Sequence, residues 1–166
     1  MKHLISVSRE KRGLGSPEAR RVIRRAVTAT LRAQGVGEPC EVSVLLTDDE
    51  GIRARNREFR AIDRPTDVLS FPLNEFEPGS FDPEAAEVDP ETGRVLLGDV
   101  VISLERIRAQ GEAFGHGEER ELAYITVHSV LHLLGYDHVD EGPMKRQMRA
   151  REKAVMADLT LGDGET

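Results

Sequence analysis

The sequence has little cysteine, few aromatic residues and no long apolar run, and each shortage excludes a class of protein. Only Cys40 is a cysteine among 166 residues, which excludes an internal disulfide framework and any zinc site built from cysteines. Tryptophan is absent and aromatic residues make up 4%, so the core is predicted to be mainly aliphatic. No stretch approaches the roughly 18–20 apolar residues of a membrane span, and the first apolar run is too short for a signal peptide. We therefore expect a cytoplasmic protein, for which a single free cysteine is typical.

Length and composition favour one domain. A chain of 166 residues can bury a core without disulfides, and 39% apolar with 32% charged residues is typical of a soluble globular protein. Between Glu75 and Glu91 every charged residue is acidic, and turn-forming residues are frequent there. We predict a single domain over residues 1–166, with an acidic surface loop at about 74–94 that is exposed or partly disordered.

Local patterns predict strands that are concentrated early and helices that fill the end of the chain. Strands are predicted at residues 4–7, 41–46, 67–71 and 95–103. Helices are predicted from Ser16 to about 35, from Thr47 to about 59, and at about 104–114, 118–134 and 143–159. Ser16 and Thr47 are the predicted N-caps, because Pro17 follows the first and a capping-box acid follows the second. The expected class is α+β, with a single small mixed sheet packed with about five helices.

Charge is unevenly distributed along a chain whose net charge is −7. That balance argues against a general nucleic-acid coat protein, which would be basic, but it permits a local basic face. Two arginine clusters are candidates for such a face: Arg20, Arg21, Arg24 and Arg25, then Arg53, Arg55, Arg57, Arg60 and Arg64. Each cluster could line a groove that binds RNA, and the second cluster is the better candidate. Alternatively, each could be an ordinary solvent-exposed helix surface. Aromatic RNA-binding motifs are missing, so base stacking is predicted to be weak.

Three of the five histidines lie within eleven residues, at His128, His132 and His138. His128 and His132 are four residues apart on a predicted helix, so both imidazoles project from one face. Gly135 can end that helix in a left-handed turn and return His138 to the same point. Three imidazoles with an open fourth position are what a catalytic zinc site needs, and we predict a metal site at this helix end. The two remaining histidines have no converging partner and are expected to be surface residues: His3 and His116.

The same histidine spacing occurs in the metzincin proteases, H-E-x-x-H-x-x-G-x-x-H. Their glutamate is the general base for the metal-bound water, and Ser129 occupies that position here. Serine cannot act as this general base at neutral pH, so the sequence lacks the residue that a metzincin protease requires. Met144 and Met148 could imitate the protease Met-turn, although methionines at helical spacing are more often core residues.

Several blocks of the sequence resemble a known family, the YbeY-type endoribonucleases, also called ribosomal RNA maturation factors. Residues 128–138 read HSVLHLLGYDH and depart from the family's H-G-x-L-H-L-x-G-Y-D-H only at Ser129, where the family usually has glycine. Residues 56–60 and 65–72 read NREFR and PTDVLSFP, which is similar to its N-x-x-[YF]-R…PT[DN]VLSFP block. Residues 97–103, LGDVVIS, resemble its L-G-D-I-x-I-S strand, and Met148 and Glu152 fit its C-terminal helix. The resemblance runs from about residue 42 to about residue 152.

The resemblance implies a zinc-dependent endoribonuclease that hydrolyses single-stranded RNA. The implied cellular work is maturation of the 3′ end of small-subunit ribosomal RNA and ribosome quality control in bacteria. It implies one Zn²⁺ per chain on His128, His132 and His138, and a role for Arg60 in RNA binding or catalysis. The implied partners are ribosomal RNA, the small ribosomal subunit and its associated assembly proteins, with no membrane and no DNA expected.

Two other functions are compatible with the same residues. One is a metal-dependent hydrolase of another substrate, such as a peptide, and the other is a ribosome-assembly factor whose metal is mainly structural. Around the histidines, Asp137 is predicted to cap the turn or to orient a metal ligand. Asp67 and Asp99, at strand margins, are expected to be structural hydrogen-bonding residues. The sequence does not identify a general base, and the alternative role for Arg60 is a solvated surface arginine.

Overall fold

Four strands and five helices make up the described part of the chain, which in this computed structural model is residues 2–137 and 142–159. The strands are β1 (Leu4–Arg9), β2 (Cys40–Thr47), β3 (Val68–Pro72) and β4 (Val95–Ser103). The helices are α1 (Pro17–Ala33), α2 (Asp49–Arg60), α3 (Leu104–Phe114), α4 (Gly117–Leu133) and α5 (Pro143–Leu159). Within the described ranges, no helix is both long and apolar enough to cross a membrane.

The strands form one mixed sheet in the order β1-β2-β4-β3. The first three of these neighbours run parallel, whereas β3 pairs antiparallel with β4 along one edge. Val68 of β3 lies opposite Ile102, and Pro72 lies opposite Gly98. An edge strand can end in proline because the missing N–H is not needed by a further neighbour. The predicted α+β class with one small mixed sheet and five helices is confirmed.

Helix caps agree with the sequence at α1 and differ at α2. The Ser16 hydroxyl accepts a backbone hydrogen bond from the first turn of α1, as predicted. The predicted cap of α2, Thr47, is wrong: Asp48 is the N-cap, and its carboxylate accepts from the Gly51 N–H at 2.9 Å. Thr47 is the last residue of β2, and its hydroxyl donates to the Glu10 carboxylate instead. Its backbone therefore belongs to the sheet rather than to the helix entry.

The core is aliphatic, as the scarcity of aromatic residues predicts. Tyr136 is the one aromatic residue among the largest fully buried side chains of the described residues, and the others are leucine and isoleucine. They come mainly from α1, α4 and the central strands β2 and β4, and α4 packs against α1, α3, α5 and β3. Cys40, the first residue of β2, is fully buried in this core, and burial together with the Glu38 charge raises its pKa to about 12. The enclosure of α4 fixes where its C-terminal end lies.

The acidic segment between β3 and β4 is tied to the sheet by its polar and aromatic residues. The Asn74 side chain accepts from the Glu87 N–H at 2.7 Å and donates to the Leu96 carbonyl at 2.8 Å. The rings of Phe76 and Phe81 lie 5.2 Å apart and pack, partly buried, against the core. The expectation of an exposed loop therefore does not hold for these two phenyl rings, and the backbone of Phe76 lies beside the turn that ends α4.

Candidate active site

Helix α4 brings two of the predicted metal ligands together near its C-terminal end. His128 Nε2 and His132 Nε2 lie 3.2 Å apart, with the two ring planes nearly perpendicular at 81°. Both nitrogens therefore face one point, as the four-residue spacing predicts. The third predicted ligand, His138, lies outside the described residues.

Glu152 of α5 holds His128 from the side away from that point. Its Oε2 lies 2.5 Å from His128 Nδ1, and its Oε1 accepts from the Tyr124 hydroxyl at 2.8 Å. Burial opposes ionisation of Glu152, but the hydrogen bonds from His128 and Tyr124 hold its pKa below the ordinary value. An ionised carboxylate favours the tautomer of His128 that carries its proton on Nδ1. The lone pair of Nε2 is then directed towards His132.

This donor set fits a metal ion. Two nitrogens bound tetrahedrally at about 2.0–2.1 Å from one ion lie about 3.3 Å apart, close to the separation of the two imidazoles. A carboxylate on the far nitrogen of a ligating histidine is the usual support of such a site. Residues 2–137 and 142–159 contain no group of three or more histidine, cysteine or carboxylate side chains placed to bind a metal. The described residues thus supply two of the three predicted ligands.

An open cleft of about 540 Å³ extends from the histidine pair to the edge of the sheet. Alternate residues of β3 form one wall, because every second side chain of a strand faces the same side. The end of α4 and the residues after it form the opposite wall. The lining side chains are Arg60, Thr66, Asp67, Val68, Ser70, Pro72, Asn74, Glu75, Phe76, His128, His132, Tyr136 and Asp137, together with the backbone of Gly135.

Arg60, the last residue of α2, reaches this cleft. Its side chain is exposed, and no carboxylate of the described residues lies within ion-pair distance of it. Two other members of its arginine cluster have acidic partners: Arg53 pairs with Asp63 at 2.8 Å, and Arg55 pairs with Glu10 at 2.6 Å. Of the five arginines in this cluster, Arg60 is the one that lines the cleft. The five arginines of this cluster therefore do not together line one groove.

The chain turns sharply at Gly135, as predicted for the end of the histidine helix. Its φ of +103° lies in the left-handed region, and its N–H donates to the His132 carbonyl at 3.0 Å. A Cβ at this position would lie 2.2 Å from the Phe76 carbonyl oxygen, so glycine is also required for close approach of the acidic segment. Beyond the turn, the Tyr136 hydroxyl donates to the Gln34 side chain at 2.9 Å. Asp137 follows in the cleft lining, and its role stays a prediction.

Three further residues lie near the histidine pair: Ser129, Asp67 and Glu152. Ser129 is fully buried, its hydroxyl has no hydrogen-bond partner among the described residues, and it does not line the cleft. Asp67, expected to be a structural hydrogen-bonding residue, accepts from the Gln110 side chain at 3.5 Å and also lines the cleft. The sequence identifies Glu152 only as a match to a family motif, because a carboxylate 24 residues after His128 carries no spacing signal. Its role depends on the packing of α5 against α4.

The two other histidines are not simple surface residues. His3 Nδ1 accepts from the Cys40 N–H at 2.9 Å, and burial, with the Arg94 charge, lowers the pKa of His3. His116 Nε2 lies 2.7 Å from the carboxylate of Glu121, which is 3% exposed. The expectation that neither has a converging partner is therefore wrong: His3 links the start of β1 to the start of β2, and His116 contacts Glu121 within the first turns of α4.

Comparisons with known proteins identify the family. The family model described as Endoribonuclease YbeY matches residues 4–160. The chain is 47% identical over 141 residues to Endoribonuclease YbeY of a Thermoanaerobacter species, covering 85% of this chain and 87% of that one. It is 44% identical over 143 residues to the Agathobacter rectalis protein of the same name, covering 83% and 81%. A solution structure of a Thermotoga maritima protein matches with a TM-score of 0.61 and 25% identity, covering 94% of this chain and 89% of that chain. The chain therefore belongs to the Endoribonuclease YbeY family.

Proposed function

We propose that this chain is a zinc-dependent endoribonuclease that hydrolyses phosphodiester bonds in single-stranded RNA. Membership of the Endoribonuclease YbeY family supports the reaction class. The observation that carries the proposal is that one cleft holds the paired Nε2 atoms of His128 and His132 together with Arg60. Its cellular role, on the same basis, is maturation of the 3′ end of small-subunit ribosomal RNA and ribosome quality control in the cytoplasm. The small ribosomal subunit and its assembly proteins are then its partners.

His128, His132 and His138 would hold one zinc ion per chain. When bound, the ion supplies a Lewis acid that polarises a phosphoryl oxygen and lowers the pKa of a coordinated water. A three-histidine set leaves the fourth position of a tetrahedral ion open, which catalysis requires and a structural site does not offer. Zinc is favoured over nickel or copper by this ligand set and by availability rather than by affinity order.

The chain's own groups bind the substrate and orient the ligands. The guanidinium of Arg60 presents a fork of donors that matches two phosphate oxygens, and no carboxylate of the described residues lies within ion-pair distance of it. Thr66 and Ser70 place hydroxyl groups in the cleft wall, where they can bond a phosphate or a ribose hydroxyl. Glu152 keeps a proton on His128 Nδ1, so that this imidazole presents its lone pair to the cleft throughout.

Peptide hydrolysis is disfavoured by the position of Ser129. In the metzincin arrangement the residue after the first histidine must reach the water in the cleft. Here that residue is fully buried and outside the cleft lining, so it is excluded as a base by location as well as by chemistry.

The first test is the metal content of the purified chain, measured by elemental mass spectrometry beside a His128→Ala variant. We expect about one zinc per chain in the wild type and its loss in the variant. A folded wild type that contains no metal, prepared without chelators, would overturn the zinc-dependent mechanism.

The second test is cleavage of a single-stranded RNA by a His132→Ala variant that retains its circular dichroism spectrum. We expect cleavage to disappear. If the same variant still binds ribosomes and supports growth of a deletion strain, the assembly-factor function replaces the enzyme as the cellular role.

A further inference from the structure

The outer face of α1 is strongly basic although the chain as a whole is acidic. Its five arginines are all exposed: Arg20, Arg21, Arg24, Arg25 and Arg32. Glu18 is the one acidic residue of the helix. Among the described residues, no carboxylate lies within ion-pair distance of any of these arginines. Some arginines elsewhere on the surface do have carboxylate partners, such as Arg53 with Asp63 and Arg108 with Glu118.

These arginines extend over a length that suits a polymer better than a single anion. Arg20 and Arg32 are twelve residues apart, which is about 18 Å along a helix rising about 1.5 Å per residue. Beside them, α1 and the end of α5 enclose a groove of about 640 Å³, which is lined by three arginines and one carboxylate: Arg24, Arg25, Arg32 and Asp158. The Arg25 guanidinium is anchored there by the Leu159 carbonyl at 3.0 Å. A row of guanidinium groups of this length can contact several successive phosphates.

The same helix ends beside the candidate active site. Gln34 is the C-cap of α1, and its side chain accepts from the Tyr136 hydroxyl at 2.9 Å. Tyr136 lines the cleft that holds the histidine pair. The end of α1 that carries Arg32 is therefore bonded to a residue that follows the histidine helix.

We propose that the arginine face of α1 is a second contact surface for the phosphate backbone of single-stranded RNA, used by nucleotides that lie outside the cleft. This inference rests on the proposed function, since it takes RNA as the substrate. Guanidinium forks match phosphate oxygens, and phosphate contacts give affinity and register without reading sequence. Helix α1 contains no aromatic residue, so it offers no stacking platform for bases. The surface therefore increases affinity for long strands and leaves base preference unchanged.

The test compares two double variants that remove the same charge. Arg24→Gln with Arg32→Gln alters the face of α1, and Arg53→Gln with Arg108→Gln removes two arginines that have acidic partners. Binding of the full-length, zinc-loaded chain is measured by fluorescence anisotropy over a range of KCl concentrations. The probes are 2′-O-methyl single-stranded RNAs of about 24 and about 6 nucleotides, long and short relative to typical single-strand sites.

We expect the α1 double variant to bind the long RNA about tenfold more weakly and the short RNA as the wild type does. The slope of log affinity against log salt falls by about 1.4 for the long RNA, about 0.7 for each lost phosphate contact. Cleavage of a short unmodified RNA stays at the wild-type rate. Equal losses in the two double variants, or equal losses on both probes, would overturn the inference and leave the proposed function standing. A wild type that neither binds nor cleaves RNA would overturn the proposed function itself.

Discussion

Single residues in the cleft differ in how firmly the fold holds them. His128 is fixed by Glu152, which is 4% exposed and bonded in turn to Tyr124. Arg60, in contrast, extends from the end of α2 with an exposed side chain. A metal ligand must be held in one orientation, because coordination geometry tolerates little movement. A phosphate-binding arginine can adjust to a flexible strand, so its exposure suits that role.

Replacing Glu152 with glutamine tests the support behind His128. The variant keeps the shape of the side chain but removes the charge that stabilises the Nδ1 proton. We expect zinc affinity to fall about 10–100-fold, measured by competition with a chromophoric chelator. Tyr124→Phe is the matched control, since it deletes only a neutral hydrogen bond to the same carboxylate, and its effect should be smaller. Equal losses in the two variants would contradict a specific role for the carboxylate charge.

Arg60→Ala and Arg57→Ala separate a phosphate contact from general surface charge. Both side chains are exposed on α2, but only Arg60 lines the cleft. We expect kcat/KM on single-stranded RNA to fall about 100-fold or more in Arg60→Ala, as when one transition-state donor is removed. Arg57→Ala should change it by less than about threefold, the range of an exposed surface charge. Equal effects in the two variants would count against a special role for Arg60.

At the scale of elements, features that depend on neighbouring residues could be predicted from the sequence. Features that depend on which distant segments meet in the fold could not. The spans of α3 and α5 agree with the sequence prediction, because caps and periodicity act within one segment. The histidine pair was predictable for the same reason, since helix geometry alone brings His128 to His132. The strand order, the pairing of Thr47 with Ser103 in the sheet and the approach of Glu152 to His128 depend on which segments meet in the folded chain. No local pattern carries that information.

The turn that ends α4 can be tested with two glycine variants. In Gly135→Ala, the alanine must adopt a left-handed backbone conformation. Its Cβ would also lie 2.2 Å from the Phe76 carbonyl oxygen. We expect the free energy of unfolding to fall by more than about 2 kcal/mol, measured by equilibrium urea denaturation. Gly115→Ala, at the C-cap of α3, has the same backbone region but no atom within 4 Å of the Cβ, and should cost about 1 kcal/mol. Similar losses at both sites would show that the close contact at Gly135 carries no energetic weight.

At the scale of the whole molecule, the core is separate from the proposed metal site. Buried aliphatic residues from two helices and two central strands fill the space between the sheet and α4. The histidine pair lies at the margin of this core, where α4 ends at the cleft. Burial of this extent is ordinary for a chain of 166 residues, so folding does not need a metal.

Metal removal should therefore abolish activity without unfolding the chain. We expect EDTA to eliminate RNA cleavage while the far-UV circular dichroism spectrum is retained, and added zinc to restore cleavage. The melting temperature should fall by only several degrees, about the stabilisation that ligand binding contributes. Cooperative loss of the spectrum on chelation would contradict this and indicate a fold that depends on its metal, as in zinc fingers.

Chemical labelling of the lone cysteine, Cys40, can report local opening of the sheet. Cys40 is fully buried, its pKa is raised to about 12, and its N–H is bonded to His3. The thiolate is the reactive form of cysteine, so alkylating reagents and oxidised glutathione find almost none of it in the folded chain at neutral pH. Labelling must then wait for the start of β2 to separate from its neighbours. The rate of alkylation consequently measures the stability of that part of the sheet, with no engineered probe.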